Sequence, residues 1–110
     1  DLDIGLMDGC NDELYLKQLH QGLEELESRF AADFVIYLAG ADPHEEDRLG
    51  RLKISKEGMR LRDEAVFEFA LNKNLPLAFS MAGGYGKEIE STVDIHFQTI
   101  KTALSFQKQY

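Results

Sequence analysis

The sequence predicts an α/β fold in the order helix, strand, helix, strand, helix. Three observations predict it. DFVIYLA (33–39) and PLAFSMA (76–82) are nearly unbroken apolar runs, as strands covered on both faces require. Between them lies a segment with helical spacing, long enough for a crossover, which makes the two strands parallel. Helical periodicity also precedes the first run and follows the second.

Leu2, Ile4 and Leu6 alternate and predict a short strand. Residues 7–12, MDGCND, read as a turn in which Asn11 or Asp12 caps a helix. The first helix is expected over 13–30, with Tyr15, Leu19, Leu23, Leu26 and Phe30 on one stripe; Tyr15 and Phe30 read as packing residues. Gly22 weakens this helix without breaking its pattern. After the first strand, Ser55 caps a second helix over 56–73, with Met59, Val66, Phe69 and Ala70 inward. Asn74 ends it and Pro76 opens the second strand. GGYGKE makes a tight loop. A last helix over 87–108 is expected to bury Ile89, Val93, Phe97, Ile100 and Leu104.

The 110 residues suit one small domain. The net charge of −8 argues against a nucleic-acid surface or an anionic membrane surface. No apolar run reaches the ~18 residues of a membrane span. A single cysteine, Cys10, excludes an intrachain disulfide and points to a reducing, intracellular setting, taken as cytoplasmic. The acidic start resembles no signal peptide, and the missing initiator Met suggests a piece of a longer chain.

Both parallel strands end on one edge of the sheet, where open α/β sheets bind ligands. Asp42 lies just past the first strand and Tyr85 just past the second. Asp42 reads either as a loop acid or as a metal ligand or catalytic carboxylate. His44, in an Asp-x-His spacing with it, reads as a loop residue, and Glu45, Glu46 and Asp47 as a solvated acidic run. The glycines at 83, 84 and 86 fit neither a dinucleotide fingerprint nor a Walker loop. A tight turn explains them but not the tyrosine between them, whose hydroxyl can donate to an oxyanion. His20, His96 and Cys10 show no partner at a useful spacing.

Three blocks, GLMDGCNDELYLKQL, DFVIYLAGADPHEEDRLGRLKISKEGMRLRD and LPLAFSMAGGYGKE, resemble the C-terminal part of zinc-dependent histone deacetylases and their bacterial acetoin-utilisation and acetylpolyamine amidohydrolase relatives. The DPHEEDRLGRL form is most similar to the class IV branch. The resemblance implies the C-terminal portion of a three-layer, parallel-sheet arginase/deacetylase-like fold, with residues 1–110 as the last part of one deacetylase domain. It implies that Asp42 is one of three zinc ligands and that Tyr85 hydrogen-bonds the substrate carbonyl and stabilises the oxyanion. It places Gly83, Gly84 and Leu49 on the walls of a narrow acyl-lysine tunnel.

The family's earlier Asp-x-His pair and its His-His dyad have no counterpart among the three histidines here. The expectation is a zinc-activated hydrolase of acyl-lysine, or of an acylated small amine, in the longer parent chain. The 110 residues alone are expected to bind no stoichiometric zinc, to be inactive, and to form a homo-oligomer through exposed sheet edges. The competing expectation is a non-catalytic α/β binding or interaction module.

Overall fold

The computed structural model describes residues 1–110. Helix α1 spans Asp12–Arg29, strand β1 Val35–Ala39, helix α2 Lys56–Asn72, strand β2 Leu77–Met81 and helix α3 Ile89–Gln107. The order matches that expected from sequence. No helix is long and apolar enough to cross a membrane.

The helix starts follow from their caps. The Asn11 side chain accepts the Leu14 amide, and Ser55 Oγ accepts the Gly58 amide. Asp12, in the first turn of α1, also reaches α2: its carboxylate accepts the Ser55 amide at 2.8 Å and the Ser55 hydroxyl at 2.5 Å. The two N-termini are thus pinned together. Helix α2 stops before Asn74, which turns the chain at φ 52°, a conformation asparagine tolerates better than most residues.

β1 and β2 pair in parallel, with Val35 opposite Leu77, Tyr37 opposite Phe79 and Ala39 opposite Met81. Helix α2 crosses between them and packs on α1 and α3. Phe67 of α2 forms edge contacts with Tyr37 and Phe79 and stacks obliquely on Phe106 of α3. Toward the strand ends, Ala41, Ile54, Met59 and Ile95 form a buried cluster with Tyr15 and Leu52 against it.

Four expectations change. Residues 1–6 form no strand. Leu2 and Ile4 instead lie over Gly22, close enough that a β-carbon there would stand 2.6 Å from Ile4 Cδ1. The apolar alternation was that of a segment lying on a helix, with no neighbouring strand to pair with. Second, only one face of each strand is covered. Ile36 is 75% and Leu38 67% exposed, because no element of this chain packs on that face. Third, Ile89, Val93, Phe97, Ile100 and Leu104 of α3 are all exposed. The buried residues of α3 are instead Ser91, Ile95, Thr99 and Thr102; Ile95 joins Met59 of α2 in the buried cluster, and the Thr99 hydroxyl donates to Asp63 of α2. Fourth, Phe30 lies beyond the end of α1 and is half exposed, so the apolar stripe of α1 is covered only up to Leu23.

Candidate active site

The ends of β1 and β2 carry the loops expected to hold chemistry, and the chain ties those loops together. Beyond the last strand pair, the Ala41 amide donates to the Gly83 carbonyl at 2.6 Å. The ladder therefore continues to the residue before Asp42. Asp42 itself is exposed, and no hydrogen bond of the chain ends on its carboxylate. Backbone surrounds it instead. A β-carbon at Gly40 would stand 2.4 Å from Asp42 Oδ1, and one at Gly50 2.2 Å from the Asp42 carbonyl oxygen. Gly83 sits 3.4 Å from Asp42 Oδ1 by the same measure, in ordinary contact.

The loop after Asp42 is folded back on itself. The His44 amide donates to Ala41 O, and His44 bridges Ile54. Its side chain is buried. The acidic run is not the solvated patch expected. Glu45 is exposed, but Asp47 is 8% exposed and Glu46 accepts the Ser91 hydroxyl at 2.9 Å. Asp47 Oδ2 accepts the amides of Leu49, at 3.0 Å, and Gly50, at 2.6 Å; its Oδ1 accepts the amide of Tyr85 at 2.5 Å. Burial alone would raise this carboxyl's pKa. The three amide bonds and the nearby Arg48 charge outweigh that and hold it below the usual aspartate value.

Tyr85 is held by its backbone on both sides, since its carbonyl accepts the Arg48 amide at 2.9 Å. Its side chain is 57% exposed, and so is most of Leu49. Gly84, at φ 156°, is required by space: a β-carbon would meet Ala41 Cβ at 2.8 Å and Thr92 Cγ2 at 3.2 Å. The structure thus brings Asp42, Leu49, Gly83, Gly84 and Tyr85 to one edge.

Beneath that edge lies a polar network the sequence reading missed. Arg62 and Asp63 of α2 are both buried and paired at 2.8 Å. Arg62 Nη1 donates to the Gly40 carbonyl at 2.5 Å. Asp63 accepts the hydroxyls of Tyr37 and Thr99, each at 2.5 Å. Burial drives the Tyr37 hydroxyl far above its ordinary pKa, against the pull of the Arg62 charge. α2 carries several other charged residues, so nothing in the pattern set Arg62 and Asp63 apart as the buried pair.

No group of three or more His, Cys, Asp or Glu side chains in the chain is arranged to hold a metal ion. Asp42 fits the part of a single oxygen donor: a carboxylate with open lone pairs, aimed from a backbone cradle. Cys10 is buried, and His20 lies exposed on α1.

The profile of the histone deacetylase domain matches residues 1–100. Histone deacetylase 2 of Arabidopsis thaliana is 44% identical over 87 residues, which is 79% of this chain and 22% of that protein. An uncharacterised protein of Picosynechococcus sp. is 41% identical over 96 residues, or 87% of this chain and 32% of the relative. The chain therefore spans between about a fifth and a third of the length of these curated relatives. The crystal structure of an acetylpolyamine aminohydrolase from Burkholderia pseudomallei superposes with a TM-score of 0.73 at 20% identity, over 92% of this chain and 28% of that one. That likeness establishes the arginase/deacetylase fold.

Proposed function

The chain belongs to the histone deacetylase family, and from that premise we propose that it forms the C-terminal part of a zinc-dependent hydrolase that removes acyl groups from lysine side chains. The observation that carries the reading is the joining of the Asp42 and Tyr85 loops at one sheet edge, through the Ala41–Gly83 and Asp47–Tyr85 hydrogen bonds.

In this reading Asp42 is one of the zinc ligands, and the remaining ligands come from outside residues 1–110. Zinc, when bound, supplies a Lewis acid that polarises the acyl carbonyl and acidifies water. Tyr85 donates its hydroxyl to the oxygen of that carbonyl. As water attacks, the developing oxyanion accepts a stronger hydrogen bond from Tyr85 than the ground-state carbonyl does, which lowers the barrier. Leu49 and Gly83 line the approach to Asp42: Leu49 offers an apolar wall to the acyl-lysine methylenes, and Gly83 leaves room for them. Gly84 continues this wall with backbone alone. The general base is a histidine that these 110 residues do not include.

The test is deacylation of acyl-lysine peptides by the complete natural chain that carries these residues. Chelator-sensitive turnover is expected, with Tyr85→Phe lowering kcat by roughly 100-fold or more and Asp42→Ala losing bound zinc. Turnover of acylated small amines but not of acyl-lysine peptides would replace the substrate class. A folded, zinc-loaded chain inactive on both would overturn the hydrolase reading in favour of a binding module.

A further inference from the structure

Asp47 takes no part in the chemistry just described, yet three backbone amides converge on its carboxylate. It is buried, it carries a charge, and it stands 38 residues from Tyr85 in the chain. Taking a carboxylate out of water is costly unless its oxygens are fully bonded. Here they are bonded only by backbone amides, those of Leu49, Gly50 and Tyr85. One oxygen serves the loop that follows Asp42; the other serves Tyr85.

We propose that Asp47 is a positioning residue: its carboxylate clamps the Leu49–Gly50 turn and the Tyr85 amide together, and so fixes where the Tyr85 hydroxyl stands relative to Asp42. This rests on the deacylase reading of Tyr85. Two neighbouring bonds close the clamp. The Arg48 amide donates to the Tyr85 carbonyl, and the Lys87 amide donates to the Glu46 carbonyl, which makes Asp47 and Gly86 a bridged antiparallel pair. Tyr85 is therefore gripped at both its N–H and its C=O by one short segment, while its ring projects free.

Only a carboxylate satisfies the arrangement. Three N–H donors converge on two acceptor oxygens, and an asparagine offers one oxygen and a competing NH2. With the amide turned either way, a donor meets a donor, at Tyr85 or at the Leu49–Gly50 turn. The loop keeps its other bonds, but the Tyr85 backbone is no longer held at both ends. An oxyanion donor displaced by even part of an ångström loses much of its effect, because the hydrogen bond is matched to the oxygen's transition-state position.

The experiment compares the complete natural chain with Asp47→Asn, Tyr85→Phe and the double variant. Four quantities are measured: kcat and KM on an acyl-lysine peptide, bound zinc, and amide hydrogen exchange at Tyr85, Leu49 and Gly50. Asp47→Asn is expected to lower kcat roughly 10- to 100-fold, to leave KM and zinc content nearly unchanged, and to speed exchange at Tyr85 or at the turn. The double variant is expected to be no slower than Tyr85→Phe alone, because both changes remove the same interaction. Asp47→Glu keeps the charge but displaces it by one methylene; it is read in the same cycle if Asp47→Asn folds poorly.

Additive losses would overturn the clamp, since a merely structural aspartate costs its share whatever stands at position 85. Wild-type kcat in Asp47→Asn would overturn it as well. An inert Tyr85→Phe would overturn the oxyanion reading and this inference with it, whereas an impaired Tyr85→Phe with additive Asp47→Asn overturns the inference alone.

Discussion

Arg62 donates from α2 to the carbonyl of Gly40, two residues before Asp42, while its other nitrogens pair with buried Asp63. The strand end that presents Asp42 is thus fastened from below by a guanidinium. A buried ion pair is not in itself a large source of stability, but losing one partner strands the other. Arg62→Met is expected to destabilise the fold by about 3–5 kcal/mol, read from urea unfolding. Replacing both residues, as Arg62→Met with Asp63→Leu, should cost less than the sum of the two single changes, because the second replacement removes the charge that the first strands. A double variant as unstable as the sum of the singles would count against this account.

Phe67 is the aromatic hinge between the sheet and the two helices. It is buried and touches Tyr37, Phe79 and Phe106. Phe67→Ala should cost about 3–5 kcal/mol in chemical denaturation, while Phe97→Ala, on the exposed face of α3, should cost under about 1 kcal/mol in residues 1–110. Equal losses would mean that α3 is turned the other way.

Two groups give the fold an acid-side weakness. His96 has its pKa lowered by burial and by the Arg62 charge, partly opposed by Asp63, and its Nδ1 is buried without a partner. The folded state then binds fewer protons than the unfolded one, so this contribution is complete above the ordinary histidine value of about 6.5. It declines as pH falls from there. Asp47 also has a lowered pKa, so its contribution is whole above about 3.9 and is lost as pH falls through its lower folded value. Unfolding free energy measured against pH should fall in both windows. His96→Phe should flatten the first and Asp47→Asn the second; an unchanged slope in either variant would refute that assignment.

Residues 1–110 alone should bind no zinc tightly. One carboxylate does not make a site, because affinity comes from several ligands fixed together. Zinc titration by calorimetry should show no stoichiometric transition that Asp42→Ala removes. A tight one-to-one isotherm lost in that variant would refute this.

The same residues should self-associate. Both strands of a two-stranded sheet keep one unpaired edge, and Ile36 and Leu38 leave one sheet face bare. Light scattering is expected to give a dimer or larger species, reduced by Ile36→Lys. A monomer at high concentration would defeat the expectation.

The element order was legible because its signals are local: Asn11 and Ser55 as caps, and two dense apolar runs between helical periods. The edge location of Asp42 and Tyr85 followed from topology, since parallel strands share an end. Burial was less legible. Apolar content states what a residue would favour, not whether a neighbour is there to cover it, and so Ile36 and the α3 stripe were read as core. Asp47 was misread because an acid within an acidic run looks solvated; its partners are backbone amides, which no side-chain pattern reveals. Arg62 and Asp63 escaped for the same reason, as their partners include the Gly40 carbonyl and hydroxyls on β1 and α3.

The backbone cradle around Asp42 has a genetic consequence. Gly40 and Gly50 bear no reactive group, yet a single methyl at either would intrude on Asp42. In a saturation screen for loss of activity, alanine at these two glycines should therefore score nearly as severely as replacing Asp42 itself. Variants found there in natural populations belong with those of Asp42, not with those of the surrounding loop.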